Sequence, residues 1–300
     1  MKNISITFSN EEEKKAFVLE CERDFEKRLD IASQKIVNSN VQCVLLSGPT
    51  CAGKTTTAKK LIEDFEKIGK SVTVISIDDF FNERQEERTV VENKKIDYDS
   101  VEVLDLELLQ NCIENAKSGN IIRVPKFDFI SQSRSGFNEH YISENEVLLF
   151  EGIQAVYPEV TSLFKTEYKG IFIDVSEDVC INGVCFSKYE IRLIRRLVRD
   201  RKFRGATADF TFYLWETVRE NEEKSIYPNK NICTVQLDSF LGYELFLMKS
   251  YINDVLSEVK ADSKYYKDAQ KILEKLSAFQ EINYDYIPKD SLYTEFLGKK

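Results

Sequence analysis

The chain has 300 residues, of which 42% are hydrophobic and 31% charged, so there is apolar side chain for a sizeable core and wholesale disorder is excluded. Asp plus Glu number 51 against 42 Lys plus Arg, a formal charge of −9 that argues against a general polyanion binder and against nucleic acid as partner. The opening MKNISITFSNEEEKK has no apolar leader and no later run approaches ~18 uninterrupted apolar residues, so a cytoplasmic protein with no membrane partner is expected.

In chain order, Phe17, Cys21, Phe25, Leu29, Ala32 and Ile36 recur at helical spacing between charges and predict an amphipathic helix over 11–38. A buried-type strand follows at 41–47, then a helix over 54–68 and a strand at 71–77, a βαβ unit that requires a parallel sheet. Further strands are predicted at 121–124, 147–150, 171–175 and 232–237, alternating with helices near 102–118, 189–203 and 207–223. Two last helices, near 243–258 and 263–278, have no strand after them. The expected architecture is a three-layer α/β fold with a parallel central sheet. It divides into an N-terminal helix (1–40), a main domain (41–240) and a helical C-terminal extension (241–300).

Seven cysteines, odd in number and mostly set in apolar runs, read as reduced core thiols. Cys180 and Cys185 bracket a short turn, but without a second pair they do not make a zinc site. The one histidine, His140, lies in the polar run FNEHYISEN and is expected in a solvated loop, which leaves no material for His-based triads or multi-His metal sites.

The sharpest local signal is Gly48-Pro49-Thr50-Cys51-Ala52-Gly53-Lys54-Thr55-Thr56, a GxxxxGK[ST] run directly after a predicted strand and opening a predicted helix. Glycines let successive N–H groups wrap phosphate oxygens, and the helix N-terminus adds partial positive charge. Lys54 then reaches the β- and γ-phosphates and the Thr55 hydroxyl a Mg²⁺ ion, while the Cys51 side chain takes no role of its own. ATP and Mg²⁺ are the expected cofactors, and the fold class narrows to a P-loop NTPase fold. No NKxD guanine-reading run and no LSGGQ-like signature is present, which disfavours GTPases and transporter ATPases. A kinase of small molecules needs a carboxylate near the acceptor hydroxyl, an acid near Mg²⁺, and arginines over the transferring phosphoryl group.

All three ingredients are present. The strand at 71–77 runs into Asp78-Asp79-Phe80-Phe81 and the one at 147–150 into Glu151-Gly152, at the carboxyl edge where open α/β sheets bind ligands. Residues 192–204 read RLIRRLVRDRKFR, six arginines and one lysine in thirteen positions. Arg192, Arg195, Arg196 and Arg199 share one helical face opposite Leu193, Ile194, Leu197 and Val198. Exposure alone gives no reason to prefer Arg over Lys, whereas bidentate phosphate recognition does. A lid over about 187–225, hinged at Gly205, is expected.

Taken together and in order, GPTCAGKTT, IDDFF, PKFDF, LLFEGI and RLIRRLVRDRKFRG resemble the uridine kinase family of P-loop nucleoside kinases. FYLWETVRENEEKSIYPN, LGYELFLMK and IPKDSLYTEFLG are similar, more narrowly, to bacterial nucleoside kinases that carry a threonyl-tRNA-synthetase-like N-terminal domain. With 47 residues before Gly48, that leading domain is expected to be absent. The resemblance spans roughly residues 25–298.

It implies Asp78 as general base, Thr55 with Glu151 on the Mg²⁺ side, and Asp99 and Arg192 on the ribose side. Arg195, Arg196, Arg199 and Arg204 would belong to a lid helix over the phosphates. The base-contacting Tyr and His of uridine-cytidine kinases fall on Phe127 and Gln132, and the acid-Thr-Arg run before the lid has become Glu190-Ile191-Arg192, so base identity stays open. The activity implied is transfer of the γ-phosphoryl of ATP to the 5′-hydroxyl of uridine or cytidine, with Lys54, Asp78, Arg196 and Arg199 carrying catalysis. A small-molecule nucleoside is the implied partner, and assembly into a homo-oligomer is left open. Two alternatives stand beside it: a kinase of another small alcohol, phosphoribulokinase-like or pantothenate-kinase-like, and a nucleotide-binding regulatory protein without turnover.

Overall fold

A computed structural model describes residues 1–83, 99–128 and 131–298. Strand β1 (Lys2–Ile4) precedes α1 (Glu11–Val37), whose N-cap Asn10 accepts from the Glu13 N–H and whose first turn is acidic, the charge arrangement a helix N-terminus favours. Then come β2 (Cys43–Ser47), α2 (Lys54–Lys67), β3 (Ser71–Ser76), α3 (Leu106–Lys117), β4 (Ile121–Asp128), β5 (Ser133–Tyr141) and β6 (Glu146–Glu151). The second half runs through α4 (Pro158–Thr161), β7 (Tyr168–Asp174), β8 (Val179–Ile181), β9 (Val184–Phe186), α5 (Lys188–Arg204), α6 (Ala208–Asn221) and β10 (Val235–Asp238). It closes with α7 (Glu244–Ser257), α8 (Tyr266–Ser277) and α9 (Thr294–Leu297).

The central sheet has the order β10-β7-β2-β6-β3, and every pairing in it is parallel. Successive residues of its strands serve opposite faces: Val44 and Leu46 join a core with α1, α2, α5 and α7, while Cys43 and Leu45 join a second core with α3. Those two cores on one sheet make the three layers of a P-loop α/β fold. Parallel pairing also brings the carboxyl ends of β2, β3 and β6 to one edge, with Glu151 level with Leu46 on one side and Ser76 on the other. No helix among the described residues is long and apolar enough to cross a membrane.

Several expectations are corrected. The strand at 121–124 is β4, and it leaves the central sheet to form an antiparallel hairpin with β5. Its Ile121 is exposed and Ile122 buried, a one-sided alternation that suits a hairpin and not a strand covered on both faces. His140 is in β5 and not in a loop, with Nε2 2.7 Å from Glu146 Oε1 and 2.9 Å from Thr73 Oγ1. Cys180 and Cys185 form a disulfide, because β8 and β9 pair antiparallel with these two residues opposite and their Cα atoms 4.0 Å apart. Cys21, Cys43, Cys51, Cys112 and Cys233 are free, and burial pushes the Cys112 and Cys233 thiols up to about 12, which keeps them inert.

Candidate active site

The carboxyl edge of the sheet opens into a cleft of about 1090 Å³. Its floor is the loop that follows β2 together with the first turn of α2, from Thr50 to Thr55. Two glycines decide the path of that loop. A Cβ at Gly48 would collide with the Ile173 carbonyl oxygen of β7, and Gly53 sits at φ 105°, in the left-handed region, as the N-cap of α2. Lys54 Nζ donates to the Gly48 carbonyl 3.1 Å away, so its ammonium lies folded along the loop. Thr55 is exposed at the first turn of α2 and lines the cleft.

Asp78 and Glu151 form the acidic side. Beyond β3 the chain enters a short 3₁₀ turn over Ile77–Phe80, and within it the adjacent acids part company. Asp78 lines the cleft, whereas Asp79 accepts the Phe127 N–H at 3.2 Å from the β4 hairpin. Burial pushes the Asp78 carboxyl up to about 6; Lys54 pulls it back, and Glu151, Asp99 and Asp79 add to the rise. Glu151, Asp99 and Gln132 line the same cleft, and Gln132 holds a positive φ of 53°. Among the described residues no group of three or more His, Cys, Asp or Glu side chains is placed to hold a metal ion alone. Mg²⁺ does not need one, since it keeps several waters and takes one or two protein oxygens with substrate phosphates; Thr55 and Glu151 fit that demand.

The arginines of α5 divide into two sets. Arg196, Arg199 and Arg204 line the cleft, and all three converge on one carboxylate. Asp200, 2% exposed, lies 3.1 Å from Arg196 Nε, 2.9 Å from Arg199 Nη2 and 3.3 Å from Arg204 Nη1. One negative charge fixes three guanidinium groups and leaves a net positive wall. Arg192 and Arg195 do not line the cleft. Arg192 makes a bidentate pair with Glu222 at 2.6 Å for each nitrogen and lies 3.1 Å from Asp174, and Arg195 donates to Glu244 at 2.7 and 3.0 Å. Both are fully buried, and both also donate to the loop from behind, to the Thr50 carbonyl at 3.2 Å and the Cys51 carbonyl at 3.1 Å. Arg192, expected on the ribose side, and Arg195, expected over the phosphates, are therefore corrected to supports of the loop, while Arg196, Arg199 and Arg204 face the cleft.

Other predicted site residues also sit outside it. Gly48 and Pro49 of the loop and Thr56 of α2 do not line the cleft, and Phe127 packs edge-on against Phe81 with ring centroids 5.5 Å apart. Phe81 is the member of that pair that reaches the cleft. Sequence reasoning missed Gln154 beyond β6, Tyr213, Leu214, Thr217 and Val218 of α6, and Glu295 of α9. The run FYLWETV was the available signal for α6, but its helical spacing reads equally as core. Glu295 gave no chemical signal, since nothing in a lone acid near position 295 says that it returns to the phosphate loop.

This sheet order, loop and edge of carboxylates define a P-loop phosphotransferase scaffold. The chain belongs to the Phosphoribulokinase / Uridine kinase family, whose sequence model matches residues 44–240. Among individual proteins it is similar to the uridine kinase of Vibrio atlanticus (strain LGP32), 27% identical over 198 residues that cover 65% of this chain and 86% of that one. The uridine kinase of Mycoplasma genitalium (strain ATCC 33530 / DSM 19775 / NCTC 10195 / G37) is 30% identical over 175 residues, covering 58% and 74%. A solved Bacillus stearothermophilus structure described as a possible uridine kinase matches 72% of this chain and 100% of its own, with 20% identity and a TM-score of 0.49.

Proposed function

We propose that the protein transfers the γ-phosphoryl group of ATP to the 5′-hydroxyl of a pyrimidine ribonucleoside, uridine or cytidine, as a cytoplasmic magnesium-dependent kinase. The observation that carries this reading is Asp78 at the end of β3, its carboxyl pushed up to about 6, sharing one cleft with Lys54 and with Arg196, Arg199 and Arg204. A carboxyl with that affinity for protons is ionised at pH 7 yet basic enough to take a proton from an attacking hydroxyl. Lys54 and the loop N–H groups hold the phosphates, and the arginines held by Asp200 meet the charge that spreads over the transferring group. Thr55 and Glu151 would hold a Mg²⁺ ion, which would supply neutralisation of phosphate charge. Asp99 and Gln132 take the nucleoside side, while Arg192 and Arg195 support the loop without touching substrate. The same reading treats 1–40 as an N-terminal helix, 41–240 as the kinase domain and 241–300 as its extension.

One observation favours a second reading, a kinase of another small alcohol: Phe127, the residue at the base-contacting position, is turned into the hairpin core. ADP release measured with uridine, cytidine, pantothenate and sugar phosphates as acceptors separates the two. Uridine or cytidine as the best acceptor supports the first reading; turnover with another alcohol and none with either nucleoside supports the second. ATP binding without ADP release under any acceptor defeats both.

A further inference from the structure

The family match ends at residue 240, yet the cleft is completed by a segment that comes some fifty residues later. Residues 291–297 lie against the phosphate loop. A Cβ at Gly53 would stand 2.5 Å from Leu292 Cδ1, the Tyr293 hydroxyl donates to Glu244, and Lys202 donates to the Leu297 carbonyl. The Tyr293 and Phe296 rings flank the Arg195 guanidinium, with centroids 5.8 and 5.5 Å away. This segment is fastened both to the loop and to α5, so the direction of the one polar side chain it sends into the cleft is set by packing.

That side chain is Glu295. Its Oε2 is shielded from solvent and has no hydrogen-bond partner among the described residues. Lys54 and Arg199 are its main cationic neighbours, and Glu151 is near enough to repel it. Burial pushes this carboxyl up while Lys54 and Arg199 pull it back. An ionised oxygen left without a partner costs free energy, and a ligand that donates to it keeps the group charged without a bound proton. Phosphate cannot do this, because at neutral pH its oxygens accept and carry like charge. What reverses the sign beside Lys54 is a divalent cation whose bound waters donate.

We propose that Glu295, delivered by the C-terminal segment behind the phosphate loop, is an additional carboxylate for the hydrated magnesium ion that accompanies the nucleotide. The inference rests on the nucleotide-binding part of the proposed function and adds to it a residue outside the family-matched region. Glu295 is a positioning residue here, acting on Mg²⁺ through water and not on the acceptor.

Calorimetric titration of the full chain with ADP, once in EDTA and once in excess Mg²⁺, isolates the effect from turnover. Wild-type protein should bind ADP more tightly with Mg²⁺. In Glu295→Gln the Mg²⁺-dependent gain should shrink by about 10-fold or more, while ADP affinity in EDTA is kept or improved by the loss of a negative charge. Glu295→Asp, with the charge retained on a shorter arm, should recover part of the gain, and melting curves of both variants check that the fold is intact. An unchanged Mg²⁺ gain in Glu295→Gln overturns the inference and leaves the kinase reading standing, as does tighter binding by the same factor under both conditions, which marks Glu295 as a mere charge filler. Loss of ADP binding under both conditions also overturns it, assigning the residue to the wall. Wild-type protein that binds no ADP in either buffer defeats the kinase reading and this inference with it.

Discussion

Arg195 and Arg196 are neighbours in sequence and opposites in employment. Arg195 is enclosed by Glu244, Ser239 and the Cys51 carbonyl, with every guanidinium nitrogen engaged, whereas Arg196 shares Asp200 with two other arginines and faces the cleft. The difference lies in charge balance. Where each arginine has its own carboxylate, the pair is neutral and its value is to hold an element in place; where three share one carboxylate, the excess positive charge is presented to a ligand. Helical periodicity alone puts both on one face and cannot tell them apart.

The largest effect that tests this contrast is on stability. Arg195→Ala leaves Glu244 buried without its cation and should destabilise the protein by about 3–5 kcal/mol in denaturant melts, with the P-loop loosened as a consequence. Replacing Arg195 and Glu244 together by apolar residues of similar volume should recover part of that loss, since no unpaired charge remains. An Arg195→Ala protein of normal stability but weakened ATP affinity would return Arg195 to the phosphates and erase the contrast.

Asp78 sharpens the comparison from the acidic side, because its charge is costly to the fold and needed by the chemistry. Asp78→Asn should lower turnover by ~10²-fold or more with ATP affinity little changed, and Asp79→Asn, whose carboxylate accepts the Phe127 N–H of the hairpin, should cost far less. Wild-type activity should rise as pH increases through about 6, where the carboxyl loses its proton. Stability runs the other way. A carboxyl raised from its ordinary 3.8 to about 6 favours the folded state below pH 3.8, and that contribution is lost as pH rises through 6. At pH 8 Asp78→Asn should therefore be more stable than wild type, by on the order of 2 kcal/mol, and the gap should close on acidification. A pH-independent gap in paired melts at pH 4 and pH 8 would remove burial of the charge as the cause.

Arg196→Ala and Arg199→Ala should each slow turnover by about 10²-fold, with nucleoside KM and melting temperature nearly unchanged. Stability losses as large as those of Arg195→Ala would show that the two sets of arginines do the same work. The smallest effect concerns Gln132, whose amide offers a donor and an acceptor and so distinguishes uridine from cytidine by on the order of 1–2 kcal/mol or less. Gln132→Ala should raise nucleoside KM while ATP KM stays constant; unchanged constants for both nucleosides would take Gln132 out of the site.

Much of this molecule was legible in its sequence wherever the determining interactions are local. The strand, loop and helix around Gly48–Thr56 depend on glycine conformations, a run of apolar residues and a helix start, all encoded within about twenty positions. The α5 boundaries are similarly local, with Ser187 and Glu190 forming a capping box at one end and Gly205 in the left-handed region at the other. The separation of Asp78 from Asp79 is carried by a 3₁₀ turn, which the apolar run of the preceding strand does not announce.

What only the tertiary structure decided are the pairings between distant segments. Arg192 meets Glu222 thirty residues on, Arg195 meets Glu244, and Glu295 returns to a loop that begins at residue 48; no periodicity encodes which acid finds which base. The same reason explains the hairpin of β4 and β5, His140 beside Glu146, and Cys180 opposite Cys185, where register across two strands sets the contact. Local propensity fixes how a segment is shaped and which side of it is apolar. Which charge is neutralised, and so which arginine is left over to meet a phosphate, depends on a partner that only the folded chain brings near.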